Sequence, residues 1–218
     1  MYNKIEIEQK VAEFLLQIKA IKLQPNNPFT WASGLKSPIY CDNRITLSHP
    51  LVRTYIRQKL SELILEEYGT VGVIAGVATA GIPQGVLVAQ ELGVPFIYVR
   101  SSAKEHGTGK LIEGEINPGQ RVVVIEDLIS TGKSSIQAIE TLRNAGYEVA
   151  GLVAIFSYGF TSAAHNFKDV KIKFSTLSTY SALIDYASAN NLISKTELNL
   201  LHDWAENPEQ WGKELVNG

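Results

Sequence analysis

Cysteine is almost absent from this sequence, since Cys41 is the single one among 218 residues. One thiol cannot form an internal disulfide, and a chain without disulfides is typical of a reducing compartment. No apolar run approaches the roughly 20 residues that a membrane-spanning helix needs. The charged first residues do not resemble a signal peptide. We therefore expect a cytoplasmic protein with no membrane segment.

An excess of charge of one sign is also missing. The formal net charge is −2, so the sequence shows no basic footprint of the kind that binds nucleic acid, and we expect no nucleic-acid partner. The hydrophobic fraction of 45% is ordinary for a globular protein, and the length is sufficient for a substantial core. We interpret residues 1–218 as a single domain.

What the chain does contain is a strand, two acids and a turn within residues 121–135. The β-branched run Val122–Ile125 predicts a strand buried on both faces of a parallel sheet. Glu126 and Asp127 follow at its carboxyl end, and Ser130–Ser134 places hydroxyls and a glycine at the start of a helix. Such a turn forms a phosphate cradle at the edge where open α/β sheets bind ligands. The pattern predicts a ligand with a phosphate and free hydroxyls, such as a ribose phosphate.

Residues 121–135 allow two other interpretations. Gly132-Lys133-Ser134 ends like a P-loop, but that motif needs a glycine five residues before Gly132, where Asp127 stands. The preceding acids would also repel a triphosphate. The interpretation without a function is an acidic strand end followed by a well-capped helix.

The flanking hydrophobic patterns alternate between strand and helix, which predicts an α/β fold with a central, mostly parallel sheet flanked by helices. Gly76–Pro83 offers a second candidate anion-binding turn at the same edge of the sheet. Ser178 is predicted to cap a helix near residues 182–187. The other predicted strands are 71–75, 95–99, 149–156 and a weaker edge strand at 171–174.

Two segments lie outside this alternation. Residues 23–38 interleave proline, glycine and aromatic side chains, which predicts an ordered loop. Residues 100–119 interleave cationic side chains with glycines, which predicts a mobile lid over the phosphate site. The alternative for the second segment is a solvated hairpin whose charges merely keep the protein soluble.

With these residues in place, the chain resembles the type I phosphoribosyltransferases. Residues 122–132 are similar to their diphosphoribosyl-diphosphate signature, which is a hydrophobic strand, two acids and a small-residue loop. Residues 29–42 (F-T-x-x-S-G-x-x-S-P-x-Y-x-D) resemble the N-terminal hood motif of the orotate phosphoribosyltransferases, and residues 100–107 (R-x-x-x-K-x-H-G) resemble their mobile-loop motif. The resemblance extends from about residue 8 to 190.

This resemblance implies a type I phosphoribosyltransferase fold, with a small hood formed mainly by residues 1–45 and a mobile loop at about 100–119. It implies a glycosyltransferase that joins orotate to the ribose 5-phosphate of 5-phosphoribosyl 1-diphosphate in pyrimidine biosynthesis. The implied cofactor is Mg²⁺, held mainly by substrate and water with no dedicated protein ligands. The implied assembly is a homodimer in which lid residues act across the interface.

The resemblance also implies roles for individual residues. The implied catalytic residues are Lys104, His106 and Asp127. Those implied to bind 5-phosphoribosyl diphosphate are Arg100, Lys104, His106, Glu126, Asp127, Leu128, Ile129, Ser130, Thr131, Gly132, Lys133 and Ser134. Those implied to lie near orotate are Ser130, Phe29 and Tyr40.

The chain departs from the family pattern where basic residues are expected. Those positions hold Ala32, Ala80 and Ser101. The strand end at 154–158 also lacks an arginine that some relatives place near the orotate carboxylate. We therefore hypothesise that Arg44, close after the hood motif, contacts that carboxylate.

Two rival functions follow from the same motifs. One is a phosphoribosyltransferase for another base, against which the hood motif argues. The other is a regulatory protein that keeps the sugar-diphosphate pocket to sense a ligand. Such proteins can lose lid residues, so the presence of Lys104 and His106 favours an enzyme.

Overall fold

The computed structural model describes residues 3–31, 34–102, 110–115 and 117–214, without the side chains of 212–214. Its helices are α1 (Lys4–Gln17), α2 (Pro50–Tyr68), α3 (Gly81–Leu92), α4 (Lys133–Asn144), α5 (Thr161–Asp169), α6 (Tyr180–Ala189), α7 (Lys195–Glu206) and α8 (Pro208–Glu214), and a 3₁₀ helix spans Asn43–Ser48. Its strands are β1 (Ile21–Leu23), β2 (Phe29–Thr30), β3 (Lys36–Ser37), β4 (Ile39–Cys41), β5 (Val73–Val77), β6 (Phe96–Val99), β7 (Ile112–Glu113), β8 (Arg121–Ile129), β9 (Glu148–Ser157) and β10 (Phe174–Thr179).

The main sheet has the strand order β10-β9-β8-β5-β6-β7. Its neighbouring strands pair in parallel except β6 with β7. The chain goes from β5 to β6 on one side of β5, and from β8 to β9 and β10 on the other side. The carboxyl ends of β5 and β8 therefore flank the switch point, where open α/β sheets bind ligands. The predicted α/β fold with a mostly parallel sheet is confirmed.

Helices cover both faces of the sheet. Successive side chains of β8 point to opposite faces, so they pack in two different apolar clusters. Val122 and Val124 pack in the apolar cluster that includes α4 and α5. Val123 and Ile125 pack in the cluster that includes α1, α2 and α6. All four side chains are fully buried, and each contributes about 1.5–3 kcal/mol. The packed core of the sheet thus fixes the position of the acids that follow these residues.

The region before the 3₁₀ helix forms two small antiparallel ladders, β1 with β4 and β2 with β3. Trp31, just after β2, donates its indole N–H to Ile39 O at 3.2 Å. Its ring lies 5.9 Å from the ring of Trp204 in α7. Helix α7 thus packs against the end of β2 through Trp204, which is fully buried.

The described ends of the segment 100–119 form a hairpin arm. Strand β7 pairs antiparallel with β6, and Arg100 N–H donates to Leu111 O at 2.8 Å. Lys104 and His106, predicted to act on a lid, lie outside the described residues, so their roles stay predictions. Within the described ranges, no helix combines the length and apolarity needed to cross a membrane.

The predicted edge strand at 171–174 is misplaced. Lys171 adopts a left-handed backbone with φ of 54°, and its N–H donates to Lys168 O, so a turn occupies that position. The strand β10 follows it. Ser178 is likewise not a helix cap, because its hydroxyl donates to Glu8 O at 2.9 Å. Thr179 caps α6 instead, accepting from Ala182 N–H.

Candidate active site

The two adjacent acids lie near the carboxyl end of β8 and differ in exposure. Glu126 is 5% exposed and accepts hydrogen bonds from Ser135 Oγ at 3.2 Å and from Asp127 N–H at 3.1 Å. Asp127 is half-buried. The Glu126 carboxylate is held by Ser135 of α4. Asp127 is therefore the more accessible carboxylate for a ligand.

Burial controls the ionisation of this pair. It raises the pKa of Glu126 well above its usual range, and the neighbouring Asp127 charge raises it further. Burial also raises the pKa of Asp127, although hydrogen bonds from Glu126 and from main-chain N–H groups oppose the change. Two adjacent carboxylates with little solvent favour sharing a proton. The ligand-free site therefore carries less negative charge than its sequence suggests.

We expect Glu126→Gln to stabilise the protein at alkaline pH. Because the pKa of Glu126 is higher in the folded than in the unfolded chain, the folded state binds more protons between the two values. The free energy of unfolding therefore falls as the pH rises from about 4.5 through the folded pKa. The variant should lose the part of this slope that Glu126 contributes, and gain about 2–4 °C in Tm at pH 8.

The measurement is Tm against pH for the wild type, Glu126→Gln and Glu140→Gln, which changes an exposed glutamate of α4. The control should keep the wild-type slope. Parallel curves for the wild type and Glu126→Gln would show that Glu126 does not cause the pH dependence.

The turn after β8 has the features of an anion site. Gly132 is left-handed, with φ of 77°, and precedes the first residue of α4. No described side chain caps this helix, so the N–H groups of its first turn remain available to a ligand. Lys133 and Ser134 are exposed there, whereas Ile129 is fully buried. Ile129 can therefore meet a ligand only through main-chain atoms.

The second predicted turn, between β5 and α3, lies beside the first. A small cavity of about 20 Å³ is lined by Ala78 from this turn, Arg100 after β6 and Ser134 of α4. Arg100 also approaches Glu113 of β7, with Nη1 and Oε1 3.4 Å apart. The structure thus brings the two candidate anion turns together, as predicted for turns at the same edge of a sheet. It also places Arg100 beside them.

A larger cavity of about 290 Å³ opens next to these turns. It lies between the hood ladders and the carboxyl ends of β8 and β9. Tyr40 and Ser130, which the resemblance places near the base, both line it, and Phe29 packs behind Tyr40 with ring centroids 5.6 Å apart. The lining residues are Thr30, Trp31, Tyr40, Cys41, Leu128, Ser130 and Tyr158.

Sequence reasoning missed Trp31 and Tyr158 as cavity residues. Their rings are 5.2 Å apart and tilted by 39°, and they form an apolar wall suited to a planar ring. Burial raises the pKa of Tyr158, so its phenol stays neutral. A signal existed for Tyr158, because it directly follows β9, the neighbour of β8, at the same edge of the sheet.

Acidic neighbours constrain two groups near this cavity, the Cys41 thiol and the Arg44 guanidinium. Burial, followed by the charges of Asp127 and Asp42, raises the pKa of the Cys41 thiol, which therefore stays protonated. Arg44 forms a bidentate ion pair with Asp42 at 2.7 and 2.9 Å, and its side chain is 64% exposed. The guanidinium can therefore reach a ligand only at the cavity mouth and in competition with Asp42.

The acid pair is also the candidate place for a metal ion. In the described ranges, no group of three or more His, Cys, Asp or Glu side chains is arranged to hold a metal ion. Mg²⁺ commonly binds through one or two carboxylates, substrate phosphates and several waters. Asp127, the accessible acid of the pair, offers one such carboxylate, so the residues present fit an ion that arrives with a phosphorylated substrate.

The fold and the site together define a class: an α/β protein with two candidate phosphate-binding turns at the switch point of a parallel sheet, beside an aromatic cavity. A family model described as the phosphoribosyl transferase domain matches residues 46–189. The orotate phosphoribosyltransferase of Phocaeicola vulgatus is 54% identical over 205 residues, which cover 94% of this chain and 97% of that protein.

Solved structures agree with this match. Orotate phosphoribosyltransferase from Aeropyrum pernix is 28% identical, with a TM-score of 0.70, over 84% of this chain and 99% of that one. UMP synthase from Leishmania donovani gives a TM-score of 0.78 at 29% identity over 91% of this chain. The match covers 42% of that protein, so this chain spans under half of its length. The chain belongs to the phosphoribosyltransferase family and, within it, to the orotate phosphoribosyltransferases.

Proposed function

We propose that the protein transfers ribose 5-phosphate from 5-phosphoribosyl 1-diphosphate to orotate, giving orotidine 5′-phosphate and diphosphate in pyrimidine biosynthesis. One observation carries the proposal: Ser130 belongs both to the turn after the acid pair and to the wall of the aromatic cavity. A base in that cavity would therefore lie directly beside a ribose held at Asp127.

The reaction breaks the bond between C1′ and a diphosphate oxygen, and the electron pair leaves on the diphosphate. An orotate ring nitrogen forms the new bond to C1′ and loses its proton to solvent. Displacement at an anomeric carbon passes through an oxocarbenium-like state. Catalysis then depends on positioning and on stabilising the charge of the leaving group.

Each part of the site has a proposed role in this reaction. Asp127 accepts hydrogen bonds from the ribose hydroxyls, and Ser130–Ser134 binds the 5′-phosphate. The turn at 78–81 and Arg100 face the diphosphate. The cavity shared by Ala78, Arg100 and Ser134 supports this arrangement, because it places the two anion turns at one point.

The predicted lid supplies the remaining groups. Lys104 is proposed to neutralise the departing diphosphate, and His106 to donate a hydrogen bond to it. Closure would exclude water that otherwise hydrolyses the activated sugar. The motif of residues 100–107 supports these roles.

Mg²⁺ is the proposed cofactor. Bound with the diphosphate, it would neutralise part of the charge that develops on the leaving group. Asp127 is the accessible carboxylate that would contact it directly or through water.

The proposed assembly is a homodimer in which the lid of one subunit completes the site of the other. The proposed location is the cytoplasm. The half-buried Cys41, the single cysteine of the sequence, supports a reducing compartment, where a free thiol persists.

Arg44→Ala is expected to raise the KM for orotate about tenfold, because a charge-assisted hydrogen bond to the carboxylate would be lost. The KM for 5-phosphoribosyl diphosphate should stay within twofold. Steady-state kinetics with each substrate varied in turn measures both values.

Lys36→Ala provides the comparison for Arg44. Lys36 Nζ donates to Thr30 Oγ1 at 2.9 Å, and Thr30 lines the cavity. A higher KM for orotate in Lys36→Ala alone would transfer the role from Arg44 to this lysine.

The test of the function is product formation by the purified protein with 5-phosphoribosyl diphosphate, Mg²⁺ and a panel of orotate, uracil, adenine and hypoxanthine. Orotidylate and diphosphate should form in equal amounts with orotate. Faster transfer to another base would favour the first rival function. Ligand binding without any product would favour a sensor.

A further inference from the structure

Two asparagine side chains bind the main chain on either side of the junction between β8 and the phosphate turn. Asn43, at the start of the 3₁₀ helix, donates its amide to Asp127 O at 2.7 Å. Asn166, in α5, donates its amide to Thr131 O at 2.9 Å. The two acceptors bracket the segment that joins the acid pair to the phosphate turn. Neither asparagine is part of the motif that identifies this turn in the sequence.

The amide of Asn43 is fixed in place by a buried hydrogen-bond network. The residue is 2% exposed, and Cys41 Sγ donates to its Oδ1 at 3.4 Å. Thr46 Oγ1 donates to Asn43 O at 2.6 Å, and Gln84 Nε2 of α3 donates to Thr46 Oγ1 at 3.1 Å. The network links the base cavity, the acid pair and the helix that follows the second anion turn. Hydrogen bonds to both its Oδ1 and its Nδ2 leave the Asn43 amide one orientation, although Gln84 Oε1, at the far end of the network, is buried without a partner among the described residues.

The contact of Asn166 determines the direction of an N–H group. A trans peptide unit is planar, so its C=O and N–H point in opposite directions. Because Asn166 holds Thr131 O on the side of α5, the N–H of Gly132 points away from α5. Phe167 excludes a larger residue at this position, since a Cβ on Gly132 would lie 2.6 Å from its ring. Outward-turned N–H groups of this kind form an anion nest.

We propose that Asn43 and Asn166 are positioning residues for the transfer reaction, with separate effects. Asn43 sets the main chain that carries the Asp127 carboxylate, and Asn166 sets the Gly132 N–H that meets the 5′-phosphate. The inference rests on the proposed function, and it assigns different steps to the two residues. Neither side chain needs to touch the substrate.

The two asparagines should give different kinetic signatures. Asn166→Ala should raise the KM for 5-phosphoribosyl diphosphate about tenfold, with kcat within twofold, because it weakens phosphate binding in ground and transition states alike. Asn43→Ala should lower kcat about tenfold, because Asp127 acts most strongly as charge develops on the ribose. A merely structural role would lower the apparent kcat only by the fraction of protein that is unfolded at the assay temperature, and would leave both KM values unchanged.

Asn190→Ala is the matched control. Asn190 also donates its amide to a main-chain oxygen, Tyr186 O, at 2.9 Å, but at the end of α6. Thr46→Val is the second variant for the buried site: it keeps the side-chain shape, removes the donor to Asn43 O, and should lower kcat by a smaller factor. Asn190→Ala should leave both kinetic parameters within twofold of wild type.

Binding of ribose 5-phosphate, measured by calorimetry, separates this inference from the proposed function because it needs no turnover. Asn166→Ala should bind it about tenfold more weakly than the wild type does. Equal affinity in Asn166→Ala and Asn190→Ala overturns the role of Asn166. Unchanged kcat in both Asn43→Ala and Thr46→Val overturns the role of Asn43. A wild type that is inactive but still binds ribose 5-phosphate overturns the proposed function. The calorimetric comparison of Asn166→Ala with Asn190→Ala still tests the role of Asn166 in that case.

Discussion

Asp127→Asn should lower kcat roughly a hundredfold, because removing a charged transition-state contact costs about 3 kcal/mol. The substitution keeps the shape of the side chain and removes its charge. Since burial raises the pKa of Asp127, the ionised carboxylate is costly in the ligand-free protein. The variant should therefore be at least as stable as the wild type. Initial rates at saturating substrates and Tm measure the two effects.

Asp203→Asn is the control for this change, since Asp203 is exposed in α7 and lies outside the site. It should leave kcat within twofold of the wild type. If Asp127→Asn also kept kcat within twofold, the assignment of Asp127 to the ribose would be wrong. A large loss of Tm would instead indicate that the substitution damages the turn.

The same variant tests the proposed assembly when it is mixed with a Lys104→Ala chain. If the lid acts across a dimer interface, a mixed dimer contains one site with both wild-type residues. Random association makes half of the dimers mixed, so activity should recover to roughly a quarter of the wild-type value. A lid that acts within its own subunit would give no recovery.

The strand and the acids could be predicted because their signals are local. Val122–Ile125 is apolar at every position, as expected for a strand buried on both faces, and it lies in the first half of β8. The strand is longer than predicted, because β8 continues through both acids to Ile129. The acids and the glycine turn follow without a gap. The family assignment needed the hood and loop motifs as well, and the comparisons confirm it.

The base cavity could not be predicted in full, because its walls come from distant segments. Trp31 and Tyr158 meet only when the hood packs over the end of β9. Strand β10 was misplaced for a different reason. Four of the six residues of Phe174–Thr179 carry hydroxyls, and hydroxyl side chains favour helix caps as well as strands. The hydroxyl of Ser178 bonds to Glu8 O and therefore does not cap a helix, and this contact between distant residues is not visible in the sequence.

Gly81→Ala should remove most of the activity and lower the free energy of unfolding by about 1–3 kcal/mol. A Cβ at this first residue of α3 would lie 2.5 Å from Ile125 O and 3.4 Å from Glu126 Cα. Main-chain atoms cannot rotate away, so the start of α3 and strand β8 must separate. These two elements flank the switch point. A displacement of about 1 Å at a site can cost around a hundredfold in rate.

Gly72→Ala is the matched control, because the same methyl group would there meet its nearest atom, Arg121 O, at 3.4 Å, an ordinary contact. It should be neutral, or stabilising by about 0.4–1 kcal/mol through the lower entropy of the unfolded chain. Denaturant unfolding and initial rates on both variants measure the difference. Equal stability and equal rates in Gly81→Ala and Gly72→Ala would show that α3 can move away from β8 without harm. The close approach at Gly81 would then not be what aligns the diphosphate turn with the acid pair.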